Sequence, residues 1–214
     1  MPYHIPHLIL EEPANLVGTA IDGMAYAATA IIIPEHIVSL DLVGPAILPQ
    51  LLPQLIALEK DFGELRSLRV VLPAEQPETW RASWAKFLER CPALSSLDIV
   101  GPANHGDAGL SFLRTDTLRS LEAFSGSAAA ALALLPERRI RNLATRPESD
   151  ITSDLAIIRV LDELAQLDEQ TRDRILDFRL ETTGGNSNTH DPPDRVRQLF
   201  PRLATFKSSI LSVI

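Results

Sequence analysis

Several things are scarce in this chain, and each shortage removes a class of protein. One cysteine, Cys91, in 214 residues excludes an internal disulfide and suits a reducing compartment. Positive charge is in deficit. Twenty lysines and arginines face 28 aspartates and glutamates, and the net charge of −8 argues against general affinity for nucleic acid, which needs a basic face. The start lacks the basic region of a secretory signal, and Glu11 and Glu12 precede the first apolar run. That run, Leu16 to Ile33, has Asp22 in its middle and is rich in alanine. It reads as a buried helix running into a strand rather than a membrane span.

Catalytic signatures are missing as well. The sequence holds no HExxH, GxSxG, phosphate-cradling glycine motif or CxxC. His105 with Asp107, His190 with Asp191, and the pair His4 and His7 are spacings that arise readily by chance. They supply fewer groups than the three or four protein ligands zinc normally needs. The expectation is no metal, no cofactor and no enzyme. A small α/β enzyme working through the His105 or His190 loop is the alternative. Cys91, at a helix end before a strand, reads as a small buried hydrophobe rather than a reactive thiol.

What is present is a repeat. A hexad of the form L-x-x-L-x-I, seen most clearly at Leu94, Leu97 and Ile99, recurs along the chain. Its other copies are Ile37-Leu40-Leu42, Leu65-Leu68-Val70, Leu118-Leu121-Ala123, Ile140-Leu143-Thr145, Ile175-Phe178-Leu180 and Leu203-Phe206-Ser208, with Ile5-Leu8-Leu10 at the front. The steps are 32, 28, 29, 24, 22, 35 and 28 residues, scattered about the period of a leucine-rich repeat. Val-Gly-Pro follows two of the copies, at 43–45 and 100–102. One strand and one helix cannot bury an apolar side alone, whereas stacked copies share a core. The expected fold is α/β: an irregular leucine-rich-repeat-like solenoid, one array over 1–214 of seven to eight strand–helix units, parallel strands on one face and helices on the other. A doubly wound sheet is the competing architecture, but its strands would be more continuously apolar.

Between the hexads, Pro53 within Ile47 to Leu58 predicts a broken segment rather than one clean helix. Trp80, Trp84, Phe87 and Leu88 fall on one helical face and read as core rather than as a stacking platform. Residues 103–113 read as a short connector, and Ser127 to Leu135 as a compact alanine-rich helix. Leu155, Ile158, Leu161, Leu164, Ala165 and Leu167 form another helical stripe. The polar stretch 182–194 reads as a mobile loop, followed by a last helix over Arg195 to Phe200. Leu211, Val213 and Ile214 form an apolar tail suited to self-association, or to packing on repeats beyond this chain, which leaves a truncated fragment without independent function as a further alternative.

The first, fourth and sixth hexad residues should point into the core and the second, third and fifth outward. Reading the second and fifth positions gives the expected partner-binding residues Arg66, Arg69, Asp98, Arg119, Glu122, Arg141 and Arg179. Arginine forks two hydrogen bonds onto a carboxylate and is enriched among interface anchors.

FLERCPALSSLDI, LRSLEAFSGSAAAALALLPERRIRNL and LFPRLATFKSS together resemble the leucine-rich-repeat portion of fungal F-box proteins, especially those of mushroom-forming fungi. The likeness runs over roughly Leu40 to Ile210 and rests on the corner Arg90 to Leu94, the link LLPERRIRNL, and Phe200-Pro201-Arg202-Leu203. The resemblance implies an intracellular (cytoplasmic or nuclear) protein-binding module that recognises substrates for a cullin-type ubiquitin ligase. No F-box is visible, and Pro45, Pro73 or Pro102 stands where the standard repeat has Asn or Cys, which implies irregular turns.

Overall fold

The computed structural model describes residues 7–11, 36–73, 78–101, 106–146, 154–183 and 194–211. The chain divides into two compact units, Met1–Pro102 with Phe112–Leu121, and Ala103–Ser111 with Glu122–Ile214. Within each unit the strands are all parallel and lie in chain order. The fold is α/β.

The first unit holds β1 (His7–Glu11), β2 (Ser39–Val43), β3 (Ser67–Val71) and β4 (Ser96–Val100). The last three read SLDLV, SLRVV and SLDIV, and alternate half-exposed and buried positions in step, apart from the exposed Arg69. Period-two patterning of this kind commits one face to the core. Leu40, Leu68 and Leu97 align across the strands, as do Leu42, Val70 and Ile99, and all six are buried.

Among the described residues this unit also holds two α-helices, α1 (Ile47–Ala57) and α2 (Glu78–Glu89). Pro53 does not break α1, contrary to expectation. It sits on the exposed side, while Leu48, Leu51, Leu52 and Leu55 form an unbroken buried stripe. The hydrogen bond it forfeits would have gone to Pro49, within the first turn. Packing of the stripe outweighs that loss. On α2, Trp84, Phe87 and Leu88 are fully buried, and Phe62 meets Phe87 edge-on at 5.2 Å. Trp80 stacks on Trp84 at 6.2 Å; Trp84 is core, as the spacing indicated, while Trp80 is half-buried.

Arg90 ties the helices together. Its guanidinium donates to the carbonyls of Leu55 and Ile56, at 3.2 and 3.0 Å, and to that of Lys60. The last carbonyls of a helix lack intrahelical partners, so Arg90 acts as a C-terminal cap for α1 supplied from 30 or more residues away. Cys91 follows it, buried, its Sγ donating to Phe87 O at 3.3 Å. Burial pushes its thiol well above the ordinary range.

The second unit holds β5 (Ala123–Ser127), β6 (Asn142–Arg146), β7 (Asp177–Thr183) and β8 (Thr205–Leu211), with α3 (Ala128–Leu134), α4 (Asp154–Leu164), the single turn α5 (Glu169–Arg172) and α6 (Asp194–Leu199). Ser127 caps α3, accepting from the Ala130 N–H at 3.1 Å. Val160, Leu161, Leu164 and Leu167 are buried, but Ile158 is 39% exposed and Ala165 is exposed, so the α4 stripe is narrower than its spacing suggested. Strand β7 runs on through Thr182 and Thr183, which the sequence placed in a loop. The remainder of that loop (184–193), the segment 16–33, His105, His190, Val213 and Ile214 lie outside the described residues.

One hexad is displaced. At the entries of β3, β4, β6, β7 and β8 the carbonyl of the second hexad residue of one strand accepts the N–H groups of the second and third residues of the next. Val38 O takes Arg66 and Ser67 at 2.8 and 3.1 Å, and Arg66 O takes Ser95 and Ser96, both at 2.9 Å. In the second unit Glu122 O takes Arg141 and Asn142 at 2.9 and 3.0 Å, and Arg141 O takes Leu176 and Asp177 at 2.9 and 3.1 Å. Glu122 is therefore a second-position residue, and the hexad is Leu121-Phe124-Gly126, three residues later than expected. Leu118 is the corner before it, at φ +59°. Its carbonyl accepts Leu121 N–H as Cys91 O accepts Leu94 N–H.

Candidate functional site

In a parallel sheet with one face committed to the core, same-register side chains of the other face form rows across the strands about 4.8 Å apart. In the first unit these rows are unusually uniform. Ser39, Ser67 and Ser96 make one, Asp41, Arg69 and Asp98 the next, and Val43, Val71 and Val100 the third, with His7, Ile9 and Glu11 of β1 at their ends. Each member from β2 to β4 is half-exposed except Arg69, which is exposed. Arg69 Nε lies 3.4 Å from Asp98 Oδ2, so the pair expected on this face is brought together. Opposite charges in register across strands stabilise modestly. Asp41, also beside Arg69 in register, has no ion pair among the described residues.

Arg66 is exposed at the strand entry, where its carbonyl carries the ladder and also accepts Ser95 Oγ at 3.0 Å. Arg119 is exposed but belongs to the turn before β5. It does not stand on a strand, so the expected alignment of Arg66, Arg119 and Arg141 as equivalent positions fails with the displaced hexad.

In the second unit, Glu122 and Arg141 occupy successive second positions, both exposed. The fifth positions are Ser125, Ala144, Arg179 and Lys207, in register. Arg179 is exposed, stands directly opposite Lys207, and is flanked two residues away on its own strand by Asp177 and Glu181. Ser125 Oγ and Thr145 Oγ1 are buried without a partner.

The residues of the rival enzymatic reading are only partly in view. Asp107 uses both carboxylate oxygens on backbone, accepting Gly109 N–H at 3.1 Å and Ser111 N–H at 3.2 Å. That is a turn-capping role. Among the described residues no group of three or more His, Cys, Asp or Glu could hold a metal ion, and no helix is long and apolar enough to cross a membrane.

The sequence alone indicates the second, third and fifth hexad positions as outward; the expected binding residues come from the second and fifth, and the seventh is not among the outward positions. The signal was available: Ser-Leu-x-x-Val occurs three times, at 39–43, 67–71 and 96–100. No family model matches the chain, and no curated protein matches it.

Proposed function

We propose that the chain is a non-enzymatic protein-interaction scaffold, an irregular leucine-rich-repeat-like solenoid that binds a protein partner on the open face of its parallel strands. The supporting observation is the register of the serine, charged and valine rows on β2, β3 and β4. A folded protein has no packing need to repeat the solvent side of three strands so closely, whereas a partner lying across them does. Side chains held by a sheet also lose little freedom on binding. The fungal F-box resemblance extends the proposal: the chain works in the cytoplasm or nucleus and selects substrates for a cullin-type ubiquitin ligase.

Affinity capture from fungal lysate, with wild type beside Val71→Glu, tests it. The expected result is one protein set enriched by wild type and lost with the variant, together with cullin-ligase components if the extension holds. Identical recovery by both would remove the face from function, and recovery of nothing by either would leave the scaffold proposal without support.

A further inference from the structure

The same face carries more than regularity, because on β2 to β4 its charge and apolarity are segregated by row, and β1 exchanges the two. The fifth-position row runs Ile9, Asp41, Arg69, Asp98, and the seventh-position row Glu11, Val43, Val71, Val100. Three carboxylates thus stand against one guanidinium, and that guanidinium is already engaged by Asp98 at 3.4 Å. Ile9 is 59% exposed, the most exposed of the large hydrophobic residues described. Next to the valines, therefore, lies an acidic margin at Asp41 and Glu11. The arginines expected to attract an acidic partner contribute little here: Arg69 is neutralised, and Arg66 lies at the far end of the strands.

The spacing selects the shape of what lies across these rows. Neighbouring strands repeat at about 4.8 Å. An extended chain presents same-face side chains about 6.7 Å apart and falls out of step after two strands. A helix presents one face every turn, at about 5.4 Å, close enough to set one apolar side chain over each of four strands. Rows two residues apart along a strand are separated by about 6.7 Å, the distance from the apolar stripe of a helix to its flanking charged residues.

We propose that the face formed by Ile9, Glu11, Asp41, Val43, Val71 and Val100 binds an amphipathic helix with lysine or arginine flanking its apolar stripe. The inference rests on the scaffold reading above and names the chemistry of the partner. The helix crosses the strands with its apolar stripe over the valines and, obliquely, over Ile9 at β1, so that Asp41 and Glu11 stand on opposite sides of the stripe and meet its two basic flanks. Attraction between complementary charges guides the approach, and apolar burial holds the complex.

The test is fluorescence anisotropy of the full chain with three labelled synthetic peptides of about fourteen residues. One has a leucine stripe flanked by lysines, one the same stripe flanked by glutamates, and one the lysines with serines in place of the leucines. At about 150 mM salt, where distant charges are screened, the first should bind at least roughly tenfold more tightly than the others. Asp41→Lys should weaken it several-fold. Ile9→Glu, at an exposed position, and Val71→Glu should weaken it roughly tenfold or more. Ala144→Glu, on the second unit, should leave it within about twofold.

Equal or tighter binding of the glutamate peptide would overturn the proposal, as would binding by none. Binding of both lysine peptides regardless of Asp41→Lys and Ile9→Glu would reduce the effect to attraction by a chain of net charge −8, and would also overturn it. A lysate partner lost with Val71→Glu while the lysine–leucine peptide fails would sink the basic helix and leave the scaffold standing.

Discussion

A Cβ placed on Gly126 would stand 2.7 Å from Cζ of Phe124 and 3.2 Å from its Cε1. Both residues point to the buried face of β5, and the ring lies over the position that five of the other hexads fill with leucine, isoleucine or valine. Phe124 is 2% exposed, so it has little room to yield.

Gly126→Ala should therefore destabilise the protein by about 1–3 kcal/mol, as overpacking does. Phe124→Leu alone should cost a similar amount by leaving a gap. The double variant should lose less than the two single losses added, because each change relieves the other. Urea unfolding of all four proteins measures the coupling. Additive losses would mean that the ring moves aside at little cost.

The same pair explains where the sequence could be read and where it misled. At their described residues, seven of the eight hexads stand where leucine spacing puts them, since alternation along a half-buried strand is a strong signal. The exception is the copy whose sixth residue is glycine, with phenylalanine taking up its volume. Leu118 and Leu121 then mimicked the first and fourth positions, and the true hexad went unseen. Arg119 was promoted to a strand face and Glu122 moved from second to fifth position by that one slip. The Pro53 misreading has a different origin: local propensity lost to the burial of Leu48, Leu51, Leu52 and Leu55. The Arg69–Asp98 pair was foreseeable from the hexads alone, whereas Arg90 reaching back to α1 is tertiary and left no local trace.

Hydrogen exchange checks the displaced register directly. The Arg141 and Asn142 amides donate to Glu122 O, and should exchange slowly, in step with the core strands. The amides of Arg119 and Ser120, outside any strand, should exchange much faster. The opposite ranking would restore the earlier register.

Arg90 predicts a large effect from one partly buried side chain. Arg90→Ala removes a donor from the carbonyls of Leu55, Ile56 and Lys60, of which Ile56 keeps the Glu59 N–H at 3.2 Å, and hydrogen bonds from a charged group contribute about 1.5–3 kcal/mol each. A loss of about 2–4 kcal/mol is expected, less than the sum of three such bonds, since Leu55 and Ile56 share one nitrogen of the guanidinium, Ile56 keeps a backbone donor and exposure tempers the Lys60 bond. Arg90→Lys should recover less than half, because an ammonium cannot fork to three acceptors arranged in this way. Full recovery by lysine in urea unfolding would show that charge near the helix end, not the hydrogen bonds, is what matters.

Asp168 makes stability sensitive to acid. Its carboxylate accepts the Thr171 hydroxyl at 2.6 Å and the Thr171 N–H at 2.9 Å, and these bonds hold its pKa below the usual aspartate value. The folded chain resists protonation where the unfolded chain accepts it. The stability this cap provides is present above the ordinary aspartate pKa and is lost as pH falls through the lowered one. Asp168→Asn keeps an acceptor and removes the titration, so its unfolding midpoint should decline less steeply on acidification than that of wild type. Parallel declines would exclude a contribution from this cap.

Cys91 makes the converse prediction at alkaline pH. Desolvation outweighs the nearby Arg90 and raises the thiol pKa in the folded chain, while in the unfolded chain it ionises near its ordinary value of about 8.5. Above that pH the unfolded state has released a proton that the folded state retains. Stability from this group is complete below about pH 8.5 and falls beyond it, by about 1.4 kcal/mol per pH unit for one proton. Cys91→Ala should cost some stability at neutral pH through lost packing, yet its decline between about pH 8.5 and 10 should be shallower by that slope. In the same range a thiol reagent should modify wild type only at the rate of global unfolding, since the thiolate is the nucleophile and the buried thiol does not form it. Rapid labelling of the native chain, or identical alkaline slopes for the two proteins, would mean that the sulfur reaches solvent without unfolding.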